Sequence, residues 1–173
     1  MSAPTYPADP QQYERCLQLI LDFLKEIGIG TRFVPGPLEN TFVPGIRIEN
    51  GSLSICRAQL LYPGDLLHEA AHLAVVPPET RAKMNDSAGD SGGDEMAAIA
   101  WSYAALRHLR LSPDIVFHPE GYKGGSKSII ENFTAGRYFG VPLLQLYGLS
   151  REKKQAEEKG EEAFPVMKKW TRD

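Results

Sequence analysis

The sequence predicts an α+β fold: an N-terminal helix, a small sheet built on a β-hairpin, a helix bearing a metal-binding motif, and a second helix that completes the site. Three observations carry this. Apolar residues recur at three- and four-residue steps from Cys16 to Ile27, the period of an amphipathic helix. Asn50-Gly51 separates two short alternating runs, the signal of a two-residue hairpin turn. His68-Glu69-Ala70-Ala71-His72 spells H-E-x-x-H inside a helical segment, which stacks both imidazoles on one face.

Taken in order, Asp9-Pro10-Gln11-Gln12 has the form of a helix start, with Asp as N-cap, Pro at the first helical position and Gln12 at the capping-box position. Cys16, Leu17, Leu19, Ile20, Phe23, Leu24 and Ile27 supply the buried stripe, and Gly28 ends the helix. Residues 29 to 41 carry Gly30, Pro35, Gly36 and Pro37 and read as a connecting loop. In the hairpin that follows, a type I′ turn at Asn50-Gly51 sets Ile48 opposite Leu53 and Ile46 opposite Ile55. Those four share a buried face, with Arg47, Glu49, Ser52 and Ser54 on the other.

The motif helix is rich in Leu66, Leu67, Ala70, Leu73, Ala74 and Val75, so it is expected to be largely buried. Two histidines and a glutamate in such a helix are costly to bury without a compensating cation. Pro77-Pro78 stops the helix, and a polar stretch to Gly93 reads as a surface flap. Ser91-Gly92-Gly93-Asp94 then opens an alanine-rich helix running to Leu106, whose small side chains allow close approach to the motif helix. Two short helices are expected at 126 to 139 and 142 to 149. A charged tail, 150 to 173, is expected to be solvated or frayed, leaving 1 to 149 as the domain proper.

A catalytic zinc takes three protein ligands and keeps one position for water. His68 and His72 supply two, and Glu69 beside them is placed to act as base. For the third, Glu95 lies 23 residues beyond His72, while His108 and His118 come later. Glu95 is preferred, because it stands in the first turn of the alanine-rich helix and the flap lets that helix fold back. Asp94 reads as a cap residue and Asp90 as a loop residue.

Several other readings are excluded. Net charge −3 with pI near 5.8 argues against a general nucleic-acid binder. No apolar run is long enough to span a bilayer, and the first residues lack the basic and apolar parts of a secretion signal. Cys16 and Cys56 make neither a disulfide framework nor a cysteine-only zinc site, so reduced thiols and a cytoplasmic location are expected. Gly89-Asp90-Ser91-Gly92-Gly93 matches the nucleophile segment of trypsin-like proteases. Those enzymes are larger two-barrel proteins, and here histidine and serine lie only 19 residues apart between helical flanks. Asp86, Asp90 and Asp94 miss the alternate spacing of a calcium loop.

His68-Glu69-x-x-His72 after a hairpin, followed by Glu95-Met96-Ala97-Ala98, resembles the ImmA/IrrE-type metallopeptidases, small gluzincins of bacteria and their mobile elements. The likeness covers roughly residues 40 to 110. It implies a zincin-like fold of the minimal gluzincin kind, zinc held by His68, His72 and Glu95, and Glu69 as general base. The chain departs from the family pattern at Ile99, where Asn is usual, and at Trp101, where Phe is usual. The expected activity is hydrolysis of a peptide bond in a peptide or protein substrate, with no nucleic-acid or membrane partner. Tyr122, His118, Arg137 and Tyr138 are the candidates for stabilising the oxyanion. Two alternatives stand beside this: a zinc-holding regulatory or scaffold protein with little turnover, and a zinc hydrolase of a small amide.

Overall fold

The fold is taken from a computed structural model, which describes residues 7–85 and 92–173. Among those residues it is mixed α+β, with seven α-helices and one three-stranded sheet. Helix α1 (Pro10–Glu26) begins as its sequence dictates: the Asp9 side chain accepts a hydrogen bond from the Gln11 amide, and Gly28 sits beyond the end at φ 83°. Its stripe buries Tyr13, Cys16, Leu17, Ile20, Phe23 and Leu24, while Leu19 stays outside.

The hairpin is as read. Strands β2 (Ile46–Glu49) and β3 (Ser52–Ile55) pair antiparallel with Ile48 against Leu53 and Ile46 against Ile55, all four buried. Asn50 and Gly51 both have positive φ, as a type I′ turn requires. On the opposite face Ser54 is also fully buried, covered by Arg32, whose Nε donates to the Ser54 hydroxyl at 2.8 Å. Arg32 belongs to a strand the sequence does not announce. Residues Thr31–Phe33 form β1, parallel to β3, inside the stretch expected to be loop. Three residues between glycine- and proline-bearing flanks are too few to show a period, and only the partner strand reveals them.

The motif helix is α2 (Asp65–Ala74) and the alanine-rich helix is α4 (Gly92–His108). They form the most extensive helix pair, and both are rich in fully buried alanines: Ala70, Ala71 and Ala74 on α2, Ala97, Ala98, Ala104 and Ala105 on α4. The sheet's buried face and α1 cover the rest of α2. Within the expected flap, α3 (Pro78–Arg81) is a single helical turn. The expected cap at Ser91 lies outside the described residues, as do Asp86 and the trypsin-like Gly89-Asp90-Ser91.

The two short helices are α5 (Ser126–Thr134) and α6 (Val141–Leu146). Gly140 at the start of α6 has φ 77°, and a Cβ there would lie 2.1 Å from the Met96 carbonyl oxygen, so α6 seats directly on the first turn of α4.

The tail differs from the expectation. Helix α7 (Lys153–Lys159) is solvated as read, but Phe164 is buried in the core, and Trp170 packs edge-on against Phe23 and Trp101. The Trp101 indole N–H donates to the Trp170 carbonyl at 2.8 Å, and the Arg172 amide to the Ala74 carbonyl at 2.8 Å. Aromatic residues spaced irregularly through a Lys/Glu-rich segment carry no periodic signal, and their burial comes from the surface they meet. No described helix is long and apolar enough to cross a membrane.

Candidate metal centre

Helix α2 presents His68 and His72 one turn apart, and the first turn of α4 brings Glu95 across from them. His68 Nε2 lies 3.1 Å from His72 Nε2. Glu95 Oε1 is 3.3 Å from His68 Nε2, and Glu95 Oε2 is 3.3 Å from His72 Nε2. These three residues are a group that could hold a metal ion.

The spacing tests that possibility. Donors bound at about 2.0–2.1 Å in a tetrahedral site sit roughly 3.3 Å from one another. The observed separations match those edges. The donor set also fits chemically: two neutral imidazoles and a carboxylate suit a borderline divalent ion such as zinc. His72 is almost fully buried, whereas the Glu95 side chain is 45% exposed, so the group opens to solvent on the Glu95 side. The two imidazoles hold the Glu95 carboxyl far below the usual carboxylate range. Burial alone would depress the basicity of His68. Its hydrogen bond to Glu95 and the charges of Glu95, Glu69 and Asp65 outweigh that and raise it.

Glu69 is 8% exposed and makes no hydrogen bond or ion pair among the described residues. Burial raises its pKa first, His68 and His72 oppose that, and Asp65 and Glu95 add to it. A carboxylate raised in this way is a stronger base than one in water.

No family model, curated protein or solved structure matches the chain. The site stands on its geometry.

Of the four residues expected to stabilise an oxyanion, one reaches the group. The Tyr122 ring meets His68 edge-on at 5.2 Å, and its hydroxyl is buried with no hydrogen-bond partner. Burial, then the charges of Asp65, Glu95 and Glu69, push the phenol well above its ordinary pKa, so it remains a donor. His118 is engaged elsewhere: its Nε2 donates to Asp65 Oδ1 at 2.8 Å, and its ring stacks on Tyr62 at 3.7 Å. Neither Arg137 nor Tyr138 contacts the group among the described residues. The turn after α5 bonds Arg137 to Asn132 at 3.0 Å and packs Tyr138 on Phe133, Tyr103 and Phe164. The physical reason is the aromatic cluster, which fixes that turn by packing rings together rather than by facing His68, His72 and Glu95. His108, the remaining ligand candidate, is exposed at the far end of α4 with its ring on Phe23 and Trp170.

Sequence reasoning assigned no role to Asp65 or Tyr62. Asp65 stands three residues before His68 on α2, and that spacing was a readable signal that it shares the motif's face.

Proposed function

We propose that the chain is a zinc-dependent peptidase with a zincin-like fold, using His68, His72 and Glu95 as ligands and Glu69 as general base. One observation carries this reading: three donors stand at tetrahedral edge spacing beside a buried carboxylate that nothing else engages. A purely structural zinc site uses four ligands and has no need of a base.

When bound, zinc acts as a Lewis acid that brings the pKa of water toward neutrality. The chain's residues do the rest. Glu69 accepts the proton as water attacks the scissile carbonyl, then returns it to the leaving amine. The Tyr122 hydroxyl, protonated and lacking an internal acceptor, donates to the carbonyl oxygen as charge develops there. The open side at Glu95 admits an extended peptide or protein segment.

A second reading has its own support. His68 Nδ1 and His72 Nδ1 are both buried without hydrogen-bond partners, whereas metal-ligating histidines generally donate that N–H to a carboxylate or carbonyl. Loosely oriented imidazoles favour a zinc-holding regulatory scaffold with little turnover. Metal analysis of purified protein combined with peptide-library cleavage separates the two. The peptidase reading expects one zinc per chain and cleavage by the wild type. Glu69→Gln then keeps its zinc and loses activity by on the order of 100-fold or more. A zinc-loaded wild type that cleaves nothing in any library establishes the scaffold.

A further inference from the structure

Tyr122 rides on a loop whose backbone is held against its own preference. Tyr122, Lys123 and Gly124 are consecutive left-handed residues with φ of 55°, 52° and 82°. Glycine takes that conformation freely; tyrosine and lysine do so only when their surroundings impose it. Phe117 packs on the Tyr122 ring at 5.2 Å, and residues at the start of α2 hold the chain on the N-terminal side of it.

Three contacts make the attachment. Gly64, at the N-cap of α2, has no room for a side chain, because a Cβ would lie 1.9 Å from the Ile115 carbonyl oxygen. Tyr62 stacks on the His118 ring with planes 7° apart. Asp65, in the first turn of α2, accepts from His118 Nε2, with both side chains nearly buried. The Ser126 hydroxyl then donates to the His118 carbonyl at 2.7 Å and closes the loop behind Tyr122.

With Nε2 committed to Asp65 and Nδ1 buried, His118 has no donor to offer a substrate. Its influence passes through the loop. At the other end of that loop, the Tyr122 hydroxyl is buried without an acceptor from the described residues, which leaves it free to donate to a molecule bound beside His68.

We infer that Asp65 and His118 form a positioning pair, which fastens the loop 118–126 to the ligand helix and so holds the Tyr122 phenol over His68. Its catalytic consequence rests on the peptidase reading above; the placement of the ring does not. Asp65 thus links the first turn of α2 to the one candidate donor that reaches the site, three residues ahead of the first ligand.

The test uses the zinc-loaded full chain labelled with 3-fluorotyrosine. Seven tyrosines give fluorine resonances, and the one absent from Tyr122→Phe identifies Tyr122. In Asp65→Asn and His118→Ala that resonance is expected to move toward the position of an exposed tyrosine, with zinc stoichiometry unchanged. His118→Gln keeps an N–H donor and is expected to restore it in part, which also covers a failure of His118→Ala to fold. On a cleaved peptide, kcat should fall on the order of 10- to 100-fold with KM little changed. In a Tyr122→Phe background the second substitution should add nothing. An unmoved resonance overturns the pair, as do losses that multiply in the double variant. If no peptide is cleaved yet the resonance moves as stated, the pair stands and the peptidase reading fails; if peptides are cleaved and the resonance stays, the pair fails alone.

Discussion

At the C-terminal end of α2, carbonyls of its last residues and of the turn beyond accept from Arg81 and from Arg172. Arg81 Nε takes Leu73 at 2.7 Å, Arg81 Nη2 takes Val76 at 3.1 Å, and the Arg172 amide takes Ala74 at 2.8 Å. Arg81 Nη2 also binds the Arg172 carbonyl at 2.8 Å, while the Arg172 guanidinium lies 4.3 Å over the Tyr147 ring. Two guanidinium groups also suit the negative end of the helix dipole. At the N-terminal end, by contrast, buried polar atoms go unpaired: His68 Nδ1, His118 Nδ1 and the Tyr122 hydroxyl. His72 Nδ1, in the last turn of α2, is unpaired as well, so the unpaired atoms gather round the two histidines while the carbonyls beyond them are capped by arginines. The contrast separates the capped carbonyls, which secure the fold, from the histidine face, where the proposed chemistry would occur.

The largest expected effect is at the ligands. His72→Ala should lower zinc affinity by at least about 100-fold in chelator competition and reduce thermal stability, because metal binding and folding are coupled. Equal zinc occupancy in that variant would remove the proposed ligand set. Next comes Gly64→Ala, whose methyl group would overlap the Ile115 carbonyl oxygen. It should cost about 3 kcal/mol in denaturant unfolding, the upper range for overpacking, and disturb the open end of α2. Arg81→Ala strips three carbonyls of their donor at the closed end. About 2 kcal/mol is expected, with zinc affinity within tenfold of wild type. An Arg81 variant that lost zinc while keeping its stability would break the division between the two ends.

The smallest effect is the pH response of the metal-free protein. The folded pKa of His68 is raised above its ordinary 6.5, so its contribution is full below that value and fades as pH climbs through the folded pKa. That of Glu95 is lowered beneath its ordinary 4.5, so its contribution is full above that value and fades in stronger acid. Metal-free protein should therefore be most stable between about pH 4.5 and 6.5 with respect to this pair. Zinc, which needs deprotonated imidazoles, should move that optimum upward. Unfolding curves with and without chelator across pH 4 to 9 check the sign.

What could be read in advance followed the range of each interaction. The hairpin register rests on a two-residue turn, and the pairing of His68 with His72 rests on one helical turn. Glu95 needed only the inference that two small-residue helices pack closely. The bond between His118 and Asp65 spans 53 residues, and no local pattern encodes it. The same holds for β1, whose partner decides its conformation, and for Trp170, partly buried against surfaces supplied by α1 and α4. Tyr122 is one of four oxyanion candidates in the sequence, and its selection over Tyr138 depends on which loop is tied to α2.

Gly140 carries a consequence for the backbone that bears Glu95. Backbone of α6 rests on the Met96 carbonyl, one residue past Glu95, with no clearance for even a methyl group. Only glycine fits at this contact, so α6 packs directly against the backbone one residue past Glu95. If the zinc site proposed above is correct, the carboxylate would meet the ion by rotation about the side-chain bonds of Glu95, on a helix that α6 packs against one residue further on.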